Sequence, residues 1–263
     1  MLKLIWMSDL HYDAHALVHG HDPRVRLDAA ITLINTHHSD AACCIITGDM
    51  VETASAEAYT ALRAALGRLS VPVLPLAGNH DRRGLLRDHL PLPEGVMSEF
   101  VQYAVNADGH VLIALDTLDE GSDAGTLCPA RLDWLDQTLD AAADSPVSLF
   151  MHHPPAPLGL TMLDPDGLQA ADAFWAVVNR YPSVRSVYAG HVHRATFGHR
   201  GQVTLATLPS VLYQAPPERP RWDWDSFAPA QEAPKLGVLQ LGETQSTLHL
   251  DEICTYELGG APL

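Results

Sequence analysis

A chain of 263 residues with 47% hydrophobic and 18% charged side chains is long enough to bury a substantial core, in one large domain or two small ones. Its 16 basic and 32 acidic residues give a net charge of −16, which argues against DNA or RNA as a partner because an acidic surface repels polyanions. Its apolar runs fall short of the roughly 18 residues that predict a transmembrane helix, so no integral membrane segment is expected.

The cysteines and the N-terminal residues predict a cytoplasmic protein. The four cysteines, Cys43, Cys44, Cys128 and Cys254, have the spacing of neither a metal site nor a secreted disulfide framework. The adjacent Cys43 and Cys44 lie inside a strand-like run and are interpreted as small core residues. The first residues enter a strand at once, without the charged and apolar regions of a signal peptide.

The first third of the chain alternates between strand and helix patterns, which predicts βαβ units around a buried sheet. In order these are the strand Leu2–Met7, the helix Asp22–His37, the strand Ala42–Ile46, the helix Ser55–Leu69 and the strand Val71–Ala77. Asp22 and Ser55 are suited to cap the two helices. Four apolar positions are assigned to the buried face of the first helix: Val25, Ala29, Leu33 and Ile34. The two prolines of the third strand suit either a sheet edge or an irregular start of the strand.

The rest of the chain adds a hairpin, further strand and helix patterns, and short C-terminal strands. Phe100–Val105 and His110–Leu115 flank Asn106-Ala107-Asp108-Gly109, a clear hairpin signal. The pattern then predicts helices at Pro129–Ala142 and Leu168–Arg180, and strands at Val147–Met151, Val184–Ala189, Thr196–Gly198, Val203–Thr207, Leu236–Leu241 and Ser246–Leu250. The predicted fold class is α/β, with two packed sheets in the middle and helices outside.

The segment Gln214–Lys235 differs from its surroundings, because it holds five prolines together with Trp222, Trp224 and Phe227. It is either a surface loop that packs a few aromatic rings, or a cap or oligomer contact beside the active site. The expected organisation is therefore a catalytic core over residues 1–213, this loop over 214–235, and strands over 236–263 that complete the same domain.

Five short polar motifs directly follow predicted strands. They are Asp9-Leu10-His11, Gly48-Asp49, Gly78-Asn79-His80-Asp81, His152-His153-Pro154 and Gly190-His191-Val192-His193. Ligands of open α/β sheets bind at the carboxyl ends of the strands, so we expect these motifs to converge on one site. Asp, Asn and His without a thiolate form a ligand set suited to Zn, Mn or Fe. Taken singly, each residue is more often structural, but the set predicts a two-metal hydrolase.

In this order the motifs resemble those of the calcineurin-like metallophosphoesterase superfamily, over the span from Asp9 to His193. The resemblance implies a four-layer αββα sandwich, in which two mixed sheets pack together between helices. It also implies two transition-metal ions (Mn, Fe, Zn or Co) held by two sets of residues: Asp9, His11, Asp49 and His193 for one ion, and Asp49, Asn79, His152 and His191 for the other. Asp49 would bridge the ions, and a hydroxide between them would attack phosphorus.

The resemblance gives His80 and Asp81 catalytic roles without making them ligands. His80 is expected to stabilise the transition state or to protonate the leaving alkoxide, a task for which imidazoles are suited near neutral pH. Asp81 is expected to orient His80 by accepting a hydrogen bond from its ring.

Several neighbouring polar residues have more than one open interpretation. Three arginines follow the motifs and either bind a substrate phosphate or are plain surface charges: Arg82, Arg83 and Arg194. His153 is expected to pack or to donate a hydrogen bond behind the ligands. His19 and His21 follow the first ligand pair closely enough to line the substrate pocket. Asp116 resembles a structural turn residue of the family.

The segment from His19 to Leu27 resembles a small bacterial branch that contains class III cyclic nucleotide phosphodiesterases and glycerophosphodiesterases. The resemblance implies a metal-dependent phosphodiesterase that hydrolyses small phosphodiesters, either 3′,5′-cyclic nucleotides or glycerophosphodiesters, and forms homodimers or higher oligomers. Three alternatives stay open. One is a lipid-directed phosphoesterase acting on phospholipid headgroups or nucleotide-linked lipid, which needs an apolar or basic surface. The others are a nuclease, which the net charge disfavours, and a non-catalytic scaffold, which typically loses ligands.

Overall fold

The computed structural model describes residues 1–218 and 223–253, which form two β-sheets flanked by helices. The strands of these residues are β1 (Leu2–Met7), β2 (Cys43–Ile46), β3 (Val73–Pro75), β4 (Tyr103–Ala107), β5 (His110–Ala114), β6 (Val147–Met151), β7 (Val184–Ala189), β8 (Thr196–Arg200), β9 (Val203–Thr207), β10 (Lys235–Leu241) and β11 (Ser246–Glu252). The α-helices are α1 (Pro23–His37), α2 (Ala56–Leu66), α3 (Arg83–His89), α4 (Pro129–Ala141) and α5 (Ala171–Val178). Single 3-10 turns occur at Asp164–Asp166 and Trp224–Ser226.

The first sheet has five strands in the order β11-β10-β1-β2-β3. β1, β2 and β3 pair in parallel, whereas β10 and β11 extend the sheet in antiparallel fashion. β3 lies at an edge, one of the two alternatives that its prolines suggested, because an edge strand can do without some of its N–H donors. The carboxyl ends of the three parallel strands therefore open on the same side of the sheet.

The second sheet has six strands in the order β4-β5-β6-β7-β9-β8, of which β5, β6, β7 and β9 run parallel. Its first edge is the predicted hairpin, with a shorter turn than expected. Ala107 pairs with His110, so only Asp108 and Gly109 form the turn. Their φ angles of 51° and 77° are both positive, which is the requirement of a two-residue type I′ turn.

The alternation of side chains along the strands separates two cores. In β5, Leu112 and Ala114 face the core that includes the first sheet, while Val111 and Ile113 face a second core with α4 and α5. The first sheet shares its core with α1 and α2. Trp6 and Tyr188 join the sheets, with ring centroids 5.1 Å apart. The predicted four-layer αββα sandwich is thus confirmed.

α1 and α2 begin where the sequence predicts, but the buried face of α1 is different. Asp22 caps α1 by accepting a hydrogen bond from the backbone, and Ser55 does the same for α2. Assigning Val25 to the buried face of α1 was wrong, because this side chain is 44% exposed. The buried stripe includes the predicted Ile34 and, two helical turns before it, Leu27.

One predicted helix is shorter than expected, one observed helix was not predicted, and two residues named in the sequence analysis lie outside the described residues. α5 begins at Ala171 rather than at Leu168, and the sequence patterns missed α3. The adjacent Cys43 and Cys44 are free thiols and are buried as expected, and burial raises the pKa of Cys43 to about 12. Trp222 and Cys254 lie outside the described residues. Among the helices that the structure describes, none combines the length and apolar character that crossing a membrane requires.

Candidate metal centre

The five polar motifs occupy loops that leave β1, β2, β3, β6 and β7 at their carboxyl ends. Hydrogen bonds join the first two loops side by side. The backbone N–H of Asp9 donates to the Gly48 carbonyl at 3.1 Å, and that of His11 donates to the Asp49 carbonyl at 2.9 Å. The structure brings all seven predicted ligand residues together in two adjoining groups.

The first group consists of Asp9, His11, Asp49 and His193, all buried, with one donor atom from each lying within 4.8 Å of the others. His11 Nε2 is 3.4 Å from Asp49 Oδ2, and His193 Nε2 is 3.5 Å from Asp9 Oδ1. His11 Nε2 and His193 Nε2 face each other at 3.0 Å. Four nitrogen and oxygen donors therefore converge on one small volume.

The second group surrounds the other side of Asp49. His152 Nε2 is 3.4 Å from Asp49 Oδ2 and 2.9 Å from Asn79 Oδ1. His191 Nδ1 lies 3.1 Å from the same Asn79 oxygen. Asp49 Oδ2 is thus equally far from one histidine of each group.

The far ring nitrogens of three histidines are held by acceptors, which fixes the atoms that face the site. His152 Nδ1 donates to the Thr47 carbonyl at 2.7 Å, and His193 Nδ1 donates to the Tyr213 carbonyl at 3.0 Å. His11 Nδ1 bonds to a carboxylate oxygen of Glu52 at 2.7 Å. Because a carbonyl oxygen only accepts, the neutral rings present Nε2 as a lone pair, as metal-binding histidines do.

These donors fit a bound cation. His11 and His193 each commit their Nδ1 proton elsewhere, so their neutral rings point two lone pairs at each other across 3.0 Å. Such a contact is repulsive unless a proton or a cation lies between the rings. His and carboxylate donors with an amide oxygen suit a borderline transition metal. The residues present therefore fit the metal ions that the resemblance implies.

Five of the seven residues have left-handed backbone conformations. Among the described residues, eight non-glycine residues have positive φ, and five of them are in this site: Asp9 (54°), His11 (41°), Asp49 (48°), His191 (72°) and His193 (48°). This conformation is uncommon outside glycine, and it clusters at functional sites where surrounding contacts enforce it. The clustering is independent support for a functional site.

Charge is concentrated around Asp49. Burial opposes ionisation of this carboxyl, yet the facing His152 and His11 hold its pKa well below the usual range. Burial would lower the pKa of His152, but the charge of Asp49 outweighs it and raises that pKa to about 9. Burial raises the pKa of Asp9 to about 6. The raised pKa values of His152 and His11 favour protons on these two rings, whereas burial lowers the pKa of His191 and His193. A bound metal ion would displace such protons, because a histidine ligand is neutral.

His80 lies beside these groups with its ring held by the main chain. Its Nδ1 donates to the Glu52 carbonyl at 2.8 Å, and its backbone N–H donates to Asp49 Oδ1 at 3.0 Å. The ring packs edge-on against that of His11, with centroids 4.6 Å apart, and it lines the adjoining pocket. This leaves Nε2 as the ring nitrogen of His80 that the Glu52 carbonyl does not engage.

The predicted hydrogen bond from the His80 ring to Asp81 was wrong. The Asp81 carboxylate turns back into the protein, where it accepts from the backbone of Gly78 at 2.8 Å and of Met50 at 3.2 Å. It also accepts from the Tyr59 hydroxyl at 2.6 Å. Asp81 is fully buried, and these bonds support the loop that carries Asn79 and His80.

The arginines after the motifs make contacts within the protein. Arg83 forms a bidentate ion pair with the buried Asp116, with N–O distances of 2.7 and 2.9 Å. Arg194 bonds to the Ala215 carbonyl and to Glu232, and Arg82 bonds to a carbonyl of its own loop. Of the two open interpretations, the structure favours a structural role for Arg83, together with the turn role of Asp116.

His153 has the surroundings that the sequence suggested, whereas His19 contacts residues of the pocket wall without being one of its lining residues. The buried His153 bonds through Nδ1 to the Thr117 hydroxyl at 2.7 Å and donates through Nε2 to the Asp123 carbonyl at 3.1 Å. His19 is exposed, and its ring lies 4.7 Å from that of Tyr213 and 5.3 Å from that of Phe227. His153 therefore fixes a neighbouring loop, and His19 borders the aromatic wall of the site.

A pocket of about 340 Å³ opens beside the donor groups. Its walls include residues that sequence reasoning did not assign to the site: Asp123, Leu163, Asp166, Tyr213 and Ala215. Trp224 and Phe227, from the segment rich in proline and tryptophan, line the same pocket. No sequence motif marks Tyr213 or Glu52, although Glu52 follows Asp49 by only three residues.

Three comparisons place the chain among known proteins. Residues 2–195 match the sequence model of the calcineurin-like phosphoesterases. A probable cyclic nucleotide phosphodiesterase of Rhodopseudomonas palustris is 36% identical over 75% of this chain and 73% of its own length. A glycerophosphodiester phosphodiesterase of Enterobacter lignolyticus is 31% identical over 82% of this chain and 79% of its own. A dimetal phosphatase from Danio rerio, 17% identical, superposes with a TM-score of 0.74 over 96% of both chains, which confirms the fold.

Replacing Gly48 with alanine should disrupt metal binding. Gly48 has φ of 95°, and a Cβ there would lie 2.5 Å from His152 Nδ1 and 2.8 Å from the Gly78 nitrogen. Metal content after loading and desalting, measured by mass spectrometry, should fall well below that of the wild type. Gly84→Ala is the matched control, because a Cβ at Gly84 has open space around it. A Gly48→Ala protein with full metal content would show that this close approach is unimportant.

Proposed function

We propose, because the chain belongs to the calcineurin-like phosphoesterase family, that it hydrolyses small phosphodiesters with the aid of two bound metal ions. The observation that carries the proposal is the position of Asp49. Its Oδ2 lies 3.4 Å from His11 Nε2 and 3.4 Å from His152 Nε2, one histidine from each donor group. A carboxylate between two such groups is suited to bridge two cations about 3.5–4 Å apart.

The proposed ligands follow the two donor groups. One ion would be held by Asp9, His11, Asp49 and His193, and the other by Asp49, Asn79, His152 and His191. Mn, Fe, Zn and Co all accept this mixture of imidazole, carboxylate and amide oxygen. Bound there, the cations would supply Lewis acidity that activates water and neutralises phosphate oxygens.

The protein itself would orient these groups and move one proton. The carbonyls of Thr47 and Tyr213 hold His152 and His193 in the tautomer whose Nε2 faces the site. The Glu52 carbonyl holds His80 so that Nε2 can carry the proton that the leaving alkoxide requires. Asp81 would act indirectly, by fixing the loop that presents His80.

The choice of diester substrates rests on the relatives and on the pocket. The relatives' names specify cyclic nucleotides and glycerophosphodiesters. The pocket of about 340 Å³ lies beside His80 and has Tyr213, Trp224 and Phe227 in its wall. We assign the described part of the 214–235 segment to this wall, as a cap over the alcohol portions of the diester. Cytoplasmic location and homo-oligomerisation stay predictions.

A second candidate is a phosphoesterase acting on lipid headgroups. Trp224 favours it, since this side chain is 53% exposed at the mouth of the pocket, where it could contact a lipid surface. A scaffold without catalysis is disfavoured, because His80 and all seven proposed ligands are present in the site.

Steady-state kinetics of the Mn-loaded protein would test the proposal with four substrates: an aryl phosphodiester, an aryl phosphomonoester, 3′,5′-cyclic AMP and glycerophosphocholine. We expect preference for diesters and turnover of one natural substrate, with Asp49→Ala as the inactive control. Activity on the aryl diester alone would favour lipid headgroups as the natural substrates. Preference for the monoester, or no turnover with two metals bound, would contradict the proposal.

His80→Ala should retain both metals yet slow turnover by about 10²–10⁴-fold, the usual contribution of a general acid. The loss should be largest for diesters whose leaving alcohol has a high pKa, because such an alkoxide needs a proton most. Rates measured over a series of leaving groups, together with metal content, would check this expectation. Loss of a metal equivalent instead would identify His80 as a ligand.

A further inference from the structure

We propose that Glu52 is a positioning residue, whose carboxylate orients His11 for metal binding. The inference rests on the proposed two-metal function and deepens it, because Glu52 belongs to none of the ligand motifs. Its carboxylate lies 2.7 Å from His11 Nδ1, on the opposite side of the ring from Asp49 and His193. By accepting a hydrogen bond from the Nδ1–H of His11, Glu52 leaves the Nε2 lone pair directed into the site.

The backbone fixes Glu52 relative to His11. The N–H of Glu52 donates to the Tyr12 carbonyl at 3.1 Å, and the N–H of Tyr12 donates to the Met50 carbonyl at 3.3 Å. Glu52 is therefore hydrogen-bonded through its backbone to Tyr12, the residue that directly follows His11. Its side chain is 30% exposed, so the carboxylate keeps partial contact with solvent while it bonds to a buried ring.

Glu52 differs in charge from the acceptors behind the other rings. His152 and His193 bond through Nδ1 to the carbonyls of Thr47 and Tyr213, which are neutral. Glu52 brings a carboxylate, which adds negative charge behind the ligand and makes the imidazole a better donor. The side chain should thus strengthen cation binding as well as orient the ring.

The carboxylate acts on His11, whereas the main chain of Glu52 acts on His80. Glu52 Oε2 is 3.7 Å from His80 Nδ1, too far for a hydrogen bond, while the Glu52 carbonyl accepts from that nitrogen at 2.8 Å. Substitution of the side chain leaves this carbonyl in place. Variants at Glu52 should therefore change metal binding without changing proton transfer by His80.

The experiment compares Glu52→Ala, Glu52→Gln and the wild type by competition for Mn²⁺ with a chelator, with thermal unfolding of the metal-free proteins as the test of folding. Glu52→Ala should weaken Mn²⁺ binding by about 10- to 100-fold, the usual effect of removing such a partner. The Mn²⁺ affinity of Glu52→Gln should fall between those of the wild type and Glu52→Ala, because an amide oxygen accepts the hydrogen bond but carries no charge. Glu57→Ala should match the wild type, since Glu57 pairs with His15 on the surface, where both side chains are 75% exposed.

Hydrolysis rates of aryl diesters then distinguish an effect of the Glu52 carboxylate on metal binding by His11 from an effect on proton transfer by His80. At saturating Mn²⁺ the Glu52→Ala rate should recover, and its dependence on leaving-group pKa should equal that of the wild type. Unchanged Mn²⁺ affinity would overturn the inference. A rate loss that persists at saturating metal and grows with leaving-group pKa would also overturn it, because the Glu52 carboxylate would then act on proton transfer by His80. If Glu52→Gln loses a full metal equivalent, Glu52 is a ligand and the inference fails. A wild type that binds no metal would overturn the proposed function itself.

Discussion

The Asp49 carboxylate, buried between His11 and His152 at 3.4 Å from each ring nitrogen, is the interaction on which the site depends. A buried carboxylate is costly unless charges and donors compensate it. The fold supplies both, because parallel strands of two sheets bring histidines from distant parts of the chain to one side. The backbone N–H of His80 provides a further donor at 3.0 Å. The same compensation makes the position suitable for two cations.

The site stores backbone strain that the surrounding loops must offset. Left-handed conformations at Asp9, His11, Asp49, His191 and His193 cost about 1–3 kcal/mol each by general experience. Hydrogen bonds between the loops after β1 and β2 oppose this cost, as does the bond from the His191 N–H to Asp9 Oδ1 at 3.0 Å. Strain of this kind gives a rigid arrangement of donors, which favours tight and specific binding over adaptability.

The sequence predicts the site well where residues act through their own side chains at strand ends. Asp9 and His193 are far apart in the chain, yet the convergence of parallel strands was enough to bring them together. Contacts through the main chain carry no residue signature, so the Tyr213 carbonyl behind His193 was not foreseen. Asp81 was misjudged because proximity in sequence to His80 suggested a contact, whereas the loop turns its carboxylate toward Tyr59. The assignment of Val25 to the buried face of α1 was also wrong, because packing against the sheet decides which of several apolar stripes of a helix is buried.

Anomalous diffraction from crystals of the Mn-loaded protein would test whether Asp49 bridges two ions, because it locates the ions independently of any substrate. We expect two peaks about 3.5–4 Å apart, with the Asp49 carboxylate between them and Nε2 of His11 and His152 on opposite sides. A single peak, or a pair of peaks that Asp49 does not bridge, would contradict the two-metal centre proposed for this chain.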